Sequence, residues 1–197
     1  MKKSTLGIIA VVAIVAIWAI SGYNGLVTLD ENVSTSWSNV ETQYQRRADL
    51  IPNLVSTVKG YASHEKETLQ GVIEARSKAT SIKLDADNLT PEKLAEYQKA
   101  QGDVTNALGK LLAITENYPD LKANQNFLQL QEEVSDLENK LAASRRFFNG
   151  ATRDLNTAIE TFPACLFAGM FGFHREPMFE IPAADRATLD KAPEIKF

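Results

Sequence analysis

Residues 124–162 read NQNFLQLQEEVSDLENKLAASRRFFNGATRDLNTAIETF. Within them Phe127, Leu130, Val134, Leu137, Leu141, Ser144, Phe148, Ala151, Leu155, Ala158 and Phe162 follow alternating steps of three and four. That period puts one apolar seam along a long helix packed in coiled-coil fashion, with Ser144 its single small polar member. Glu132, Glu133, Asp136, Glu138, Lys140, Arg145 and Arg146 flank the seam as a solvated face.

An earlier stretch carries a matching stripe: Val33, Trp37, Val40, Tyr44, Ala48, Ile51, Val55, Val58 and Ala62. Pro52 falls inside it, and a proline removes one backbone bond and crowds the preceding turn. A kink or a restart is therefore expected there. Lys59-Gly60 supplies a stop signal, with the glycine suited to a left-handed cap. Ser63 is then placed to cap a second helix running through Leu69, Val72 and Ile73 to about Ile82.

Residues 85–89 read as a loop. Thr90-Pro91-Glu92 opens a third helix with a capping hydroxyl, a proline in the first turn and an acid beside it. Its stripe is Leu94, Tyr97, Val104, Leu108 and Leu111, interrupted by Gln101, and Asn117-Tyr118-Pro119-Asp120 ends it. No strand candidate survives, so the fold class is all-α. Long first and last helices with a shorter middle pair fit an up-down-up-down antiparallel four-helix bundle over residues 28–162. If Gly60 fails to break the chain, the first two helices merge and three remain. An even number returns residue 162 to the end where the bundle begins.

Ahead of the bundle, Leu6–Ile20 (LGIIAVVAIVAIWAI) carries no charge, and the uncharged stretch continues to Val27. About 22 residues make roughly 33 Å of helix, enough for a hydrocarbon core of about 30 Å. Residues 1–5 thus form a short leading segment and 6–27 a single transmembrane anchor. A cleavable signal is the rival reading. Its only cleavage site, Ala19-x-Ser21, has bulky Trp18 just before it, and the apolar run continues beyond. Trp18 and Tyr23 sit where interfacial aromatics belong. Lys2 and Lys3, against Asp30 and Glu31, favour an amino terminus in the cytoplasm. The bundle then lies on the extracytoplasmic side of a bacterial cytoplasmic membrane.

Composition narrows the chemistry. The chain has 197 residues and net charge −4, without the basic stripe of a nucleic-acid binder. One cysteine, Cys165, excludes an intrachain disulfide. His64 and His174 are the only histidines, and HEKET at 64–68 lacks the second histidine of a zinc protease helix. No nucleophile–base pair and no phosphate-cradling loop emerges. The expectation is a protein without catalytic residues, metal or cofactor.

Arg46-Arg47-Ala48-Asp49 and Arg145-Arg146 are expected to flank the core and pair with acids on neighbouring helices, each exposed pair contributing about 0–1 kcal/mol. A partner-docking or lipid-headgroup site is the sharper reading. Residues 163–181 form an apolar tail, with PACLFAGMFGF at 163–173 too short to span a bilayer. Phe167, Phe171 and Phe173 could close one end of the core, enter the membrane interface or contact another subunit. Residues 182–197 read as an exposed polar tail.

Several of these segments together resemble the LemA family. They are YNGLV at 23–27 with Asp30-Glu31, WSNVE at 37–41, QRRADLIPNLVSTVKGYASHE at 45–65, ENYPDLKANQNFLQLQEE at 116–133, Arg145-Arg146 with Asn149, Phe162-Pro163, and FGF at 171–173. The resemblance covers about residues 1–180. It implies a single-pass bacterial membrane protein with a helical bundle, and for its members an amino terminus outside the cell, opposite to the lysine reading. It carries over no catalytic residue. It marks Arg46, Arg47, Asp49, Pro52, Asn53, Asn117, Tyr118 and Pro119 as structural or interaction positions. A bland role is available for some of them: Pro52 frees the Ala48 carbonyl, which Asn53 or a neighbouring helix has to satisfy. The expected function is a non-enzymatic membrane scaffold that self-associates. An accessory subunit of a membrane enzyme or protease is the alternative, with a membrane protein as partner.

Overall fold

The computed structural model describes residues 3–180, so the expected tail at 182–197 lies outside the described residues. Five α-helices follow one another: α1 Lys3–Tyr61, α2 Lys66–Ser81, α3 Pro91–Thr115, the single turn α4 Pro119–Lys122, and α5 Gln125–Glu160. Short 3-10 turns occupy Ala86–Asn88, Ala164–Leu166 and Ala168–Phe171. Among the described residues there is no strand.

α1 is one helix of 59 residues, about 88 Å long at 1.5 Å per residue. The apolar segment and the first bundle helix are therefore continuous, and no restart occurs at Pro52. The expected stop at Gly60 is displaced: Gly60 is helical, and the chain leaves α1 after Tyr61 and turns through 62–65. Gly172, with φ 85°, is the sole described residue of positive φ. Ser63 does not cap α2 either. The helix begins after Glu65 without a side-chain cap; the Ala62 amide donates to the Val58 carbonyl at the end of α1, the Glu65 amide to Ala62 across the turn, and the Leu69 amide to Glu65. The other caps follow the sequence: Thr90 Oγ1 accepts from the Lys93 amide and Asn124 Oδ1 from the Phe127 amide.

Contacts fix the directions. Arg47 meets Glu138 and Tyr44 meets Arg145, so α1 and α5 run antiparallel. Lys78 pairs with Asp103 across α2 and α3, and Trp37 and Arg47 meet Tyr97 and Gln101 in ascending order along α1 and α3. All nine members of the α1 stripe are buried. Of the α5 seam, Phe127, Val134, Leu137, Leu141, Phe148 and Leu155 are buried and Leu130, Ser144, Ala151 and Ala158 half-buried; beyond Phe148 the buried face drifts to take in Thr152, Asn156 and Ile159, and Phe162 is exposed. A straight helix drifts about 20° per heptad from a strict 3.5 repeat. Four heptads amount to nearly one residue, which is the observed displacement.

The carbonyl freed by Pro52 is satisfied across the bundle. Arg76 Nε, on α2, donates to the Ala48 oxygen at 2.6 Å, while the outward-facing Asn53 accepts from Thr57 through its own carbonyl. Arg76→Ala is expected to cost about 1 kcal/mol in the native chain. In a Pro52→Ala background, where the residue-52 amide is restored, the cost should shrink. Additive losses in denaturant titrations of the native chain, the two single variants and the double variant would remove this account of Arg76.

Candidate functional site

Two apolar clusters fill the bundle. One, far from the apolar segment 6–27, centres on Leu54, Val58, Leu111, Leu121 and Phe127; the other, near it, on Trp37, Val40, Phe148 and Leu155. Between them lies a polar layer. Its centre is Arg47, at 2% exposure, donating through Nη1 to Thr105 Oγ1 and Glu138 Oε1, each at 3.0 Å. Through Nη2 it donates to the Gln101 carbonyl at 3.0 Å and to Gln101 Oε1. The guanidinium also stands 5.1 Å from the Tyr44 ring centroid, and that of Arg145 at 5.3 Å. Arg145 Nε donates to the Tyr44 hydroxyl at 2.8 Å. Burial raises the Tyr44 and Tyr97 hydroxyl pKa values, with Arg145 opposing it at Tyr44. Both tyrosines therefore stay neutral, and the layer's charges are the arginines and Glu138.

The arginine pairs are thus split. Arg46 and Arg146 are exposed and Arg145 is half-buried; Arg47 makes the expected pairing with an acid on a neighbouring helix, Glu138, but does so from the interior and not as a flanking surface charge. The other motif residues lie elsewhere. Asp49 accepts from Gln45 on the outer face of α1 at 2.9 Å. Asn117 and Pro119 are exposed at the far turn, where the Tyr118 hydroxyl donates to Glu65 Oε1 at 3.0 Å. That carboxylate raises the Tyr118 pKa. Asn124 Nδ2 donates to the Tyr61 hydroxyl at 2.8 Å in the same region.

Phe167, Phe171 and Phe173 come together at the opposite end, against the apolar segment of α1. Phe167 lies edge-on to Trp18 at 6.1 Å, and Tyr23 meets Phe171 at 5.1 Å and Phe173 at 5.9 Å. Gly22 makes room for this: a Cβ there would stand 3.0 Å from the Phe167 ring.

Beyond the turn the chain folds back along α5, held by two asparagines that periodicity did not single out as a pair. Asn149 donates to the Phe179 carbonyl at 3.0 Å and accepts from its amide at 2.9 Å. Asn156 does the same for Glu176, at 2.8 and 2.9 Å. Seven helical residues rise about 10.5 Å, and three extended ones about 10 Å. The two spacings match, and the tail lies antiparallel to the helix. Phe179 then stacks on Trp37 at 6.1 Å, meets Phe148 at 5.5 Å and lies 5.5 Å under Arg145. Trp37 is itself fixed by its Nε1 bond to the Leu84 carbonyl at 2.9 Å.

Glu176 has a buried Oε2 with no hydrogen-bond partner. Burial and then the Asp30 carboxylate raise its pKa, against His174. A carboxyl raised on docking favours the docked tail below its ordinary pKa, and that advantage is lost as pH rises through the raised value. Amide protection over 174–180 is expected to increase as pH falls from neutral toward the carboxylate range. Glu176→Gln should flatten the dependence; an unchanged pH profile in that variant would assign it to other groups.

Among the described residues no group of three or more His, Cys, Asp or Glu side chains converges as a metal site. What the structure defines is an all-helical protein whose first helix contains a stretch long and apolar enough to cross a membrane, with mean hydropathy 2.3, and whose bundle is tied internally by a buried arginine layer.

The LemA family model matches residues 36–197, and the chain belongs to that family. It is 31% identical over 194 residues to magnetosome protein MamQ of Magnetospirillum gryphiswaldense, covering 88% of this chain and 70% of MamQ. Protein LemA of Metamycoplasma hominis is 26% identical over 167 residues, covering 85% of this chain and 73% of its own length.

Proposed function

We propose that the chain is a non-enzymatic scaffold of the bacterial cell envelope, anchored by residues 6–27 and associating with further copies of itself. The observation that carries this reading is the unbroken α1. A bundle joined to its anchor by one continuous helix, with no flexible linker, stands at a set angle to the membrane. Identical copies then present the same faces to each other in the plane. The interior supports the reading too, since the buried Arg47 guanidinium donates to Thr105, Glu138 and Gln101 within the bundle. The relation to a protein named for magnetosomes supports a role at a membrane compartment. Lys2 and Lys3 favour the bundle on the extracytoplasmic side of the cytoplasmic membrane.

The test is the mass of the particle extracted in mild detergent. A particle containing several copies of this chain alone is the expected result. A monomer overturns self-association, and a stable complex with a different membrane protein replaces it with the accessory-subunit reading.

A further inference from the structure

Residues 163–173 contain no charged side chain, and they face two ways. Ala168 is buried in the anchor-side cluster, with Ala164, Phe167 and Phe173 packed against it. Leu166, Met170 and Phe171 point outward, at 67%, 84% and 57% exposure. Closing the core therefore accounts for only half of the turn.

Its height along α1 accounts for the rest. Counted from Leu6, where the anchor begins, about 30 Å of hydrocarbon is crossed in about 20 residues, which ends near Leu26. The turn touches α1 at Trp18, Gly22 and Tyr23, an interval of about 7.5 Å just inside that boundary. Charge resumes beside it with the Arg175–Glu160 pair. The backbone also suits a dry setting, where unpaired amides are costly. Amides 165–167 and 170–173 all donate to carbonyls within residues 161–169, at 3.0–3.3 Å.

We infer that the 163–173 turn is a second membrane contact, a foot whose Leu166, Met170 and Phe171 enter lipid of the leaflet from which α1 emerges. The occupant of the apolar surface is lipid and not a second copy, because at this depth a neighbouring chain offers no hydrophobic advantage over acyl chains. The inference rests on the anchor reading of residues 6–27.

Cys165 is the sole cysteine and is exposed within the turn, so it reports directly. The full chain, spin-labelled there, is reconstituted sparsely in vesicles of phosphatidylethanolamine and phosphatidylglycerol. Relaxation by oxygen is compared with relaxation by a water-soluble nickel chelate. The reference is a label at Ser63→Cys in a Cys165→Ser background, at the far end of the bundle. Loss of nickel relaxation at 165, with oxygen relaxation kept, is the expected result, and Leu166→Glu/Met170→Glu should restore nickel access. Equal nickel access at 165 and 63 in vesicle-bound protein overturns the foot alone. Strong dipolar broadening between labels at 165 overturns it in favour of a second copy. Release of the protein from vesicles by alkaline carbonate overturns the anchor reading and the foot with it.

Discussion

Arg47→Met should lower the unfolding free energy of the bundle by about 3 kcal/mol, because it strips the donor from the buried Gln101 amide oxygen and removes the bonds that the Gln101 carbonyl and Thr105 hydroxyl accept from the guanidinium. The remaining Glu138 is partly open to water, so its own desolvation adds little and the figure stays below that for a fully buried pair. The loss is not a property of charge as such. Removing the acceptor side chain as well, in Arg47→Met/Gln101→Leu, should recover a good part of it, since a matched apolar pair leaves fewer orphaned groups than one lone polar partner. Chemical denaturation of the full chain in detergent measures both. A single-variant loss below about 1 kcal/mol would show that water enters and replaces the arginine, and that the layer does not divide two rigid cores.

Asn149→Ala/Asn156→Ala should release the returning tail while leaving the helices intact. Each asparagine supplies two hydrogen bonds to one tail residue. Losing both bonds costs about 2 kcal/mol per site, or roughly a thirtyfold rise in local opening for either single variant. Hydrogen exchange at the Glu176 and Phe179 amides reads this directly, with the α5 amides as an internal standard. Phe179→Ala should act in the same direction by uncovering Trp37. If exchange over 174–180 stayed at its native rate in the double variant, the aromatic contacts alone would hold the tail.

The helices were legible because their signal is periodic and repeated. The α1 stripe from Val33 to Ala62 entered the core without exception, and the α5 seam failed only where a 3.5 repeat departs from a 3.6 helix. Arg47 was legible in principle. It lies three residues after Tyr44 and four before Ile51, inside the stripe's own period, and Gln101 breaks the α3 stripe opposite it. Two polar interruptions facing each other mark a buried pair, yet which helices face each other is a tertiary fact that neither stripe contains. Gly60 misled for a related reason: a glycine permits a left-handed cap without requiring one, and the turn at 62–65 is closed by backbone bonds that any residues can make. The tail is the least legible element. Asn149 and Asn156 hold main-chain atoms of residues 179 and 176, and main-chain atoms leave no imprint on sequence.

The unbroken first helix also makes the molecule a lever. If residues 6–27 span a bilayer as proposed, the rest of α1, to Tyr61, projects about 51 Å beyond it, and an anchor tilt of about 10° swings the tip sideways by about 9 Å. Tilt is how a spanning helix accommodates bilayer thickness. On that proposal, a change in the lipid around residues 6–27 would be amplified into a displacement at the Tyr61–Tyr118 end, where the molecule is farthest from the lipid that moved it.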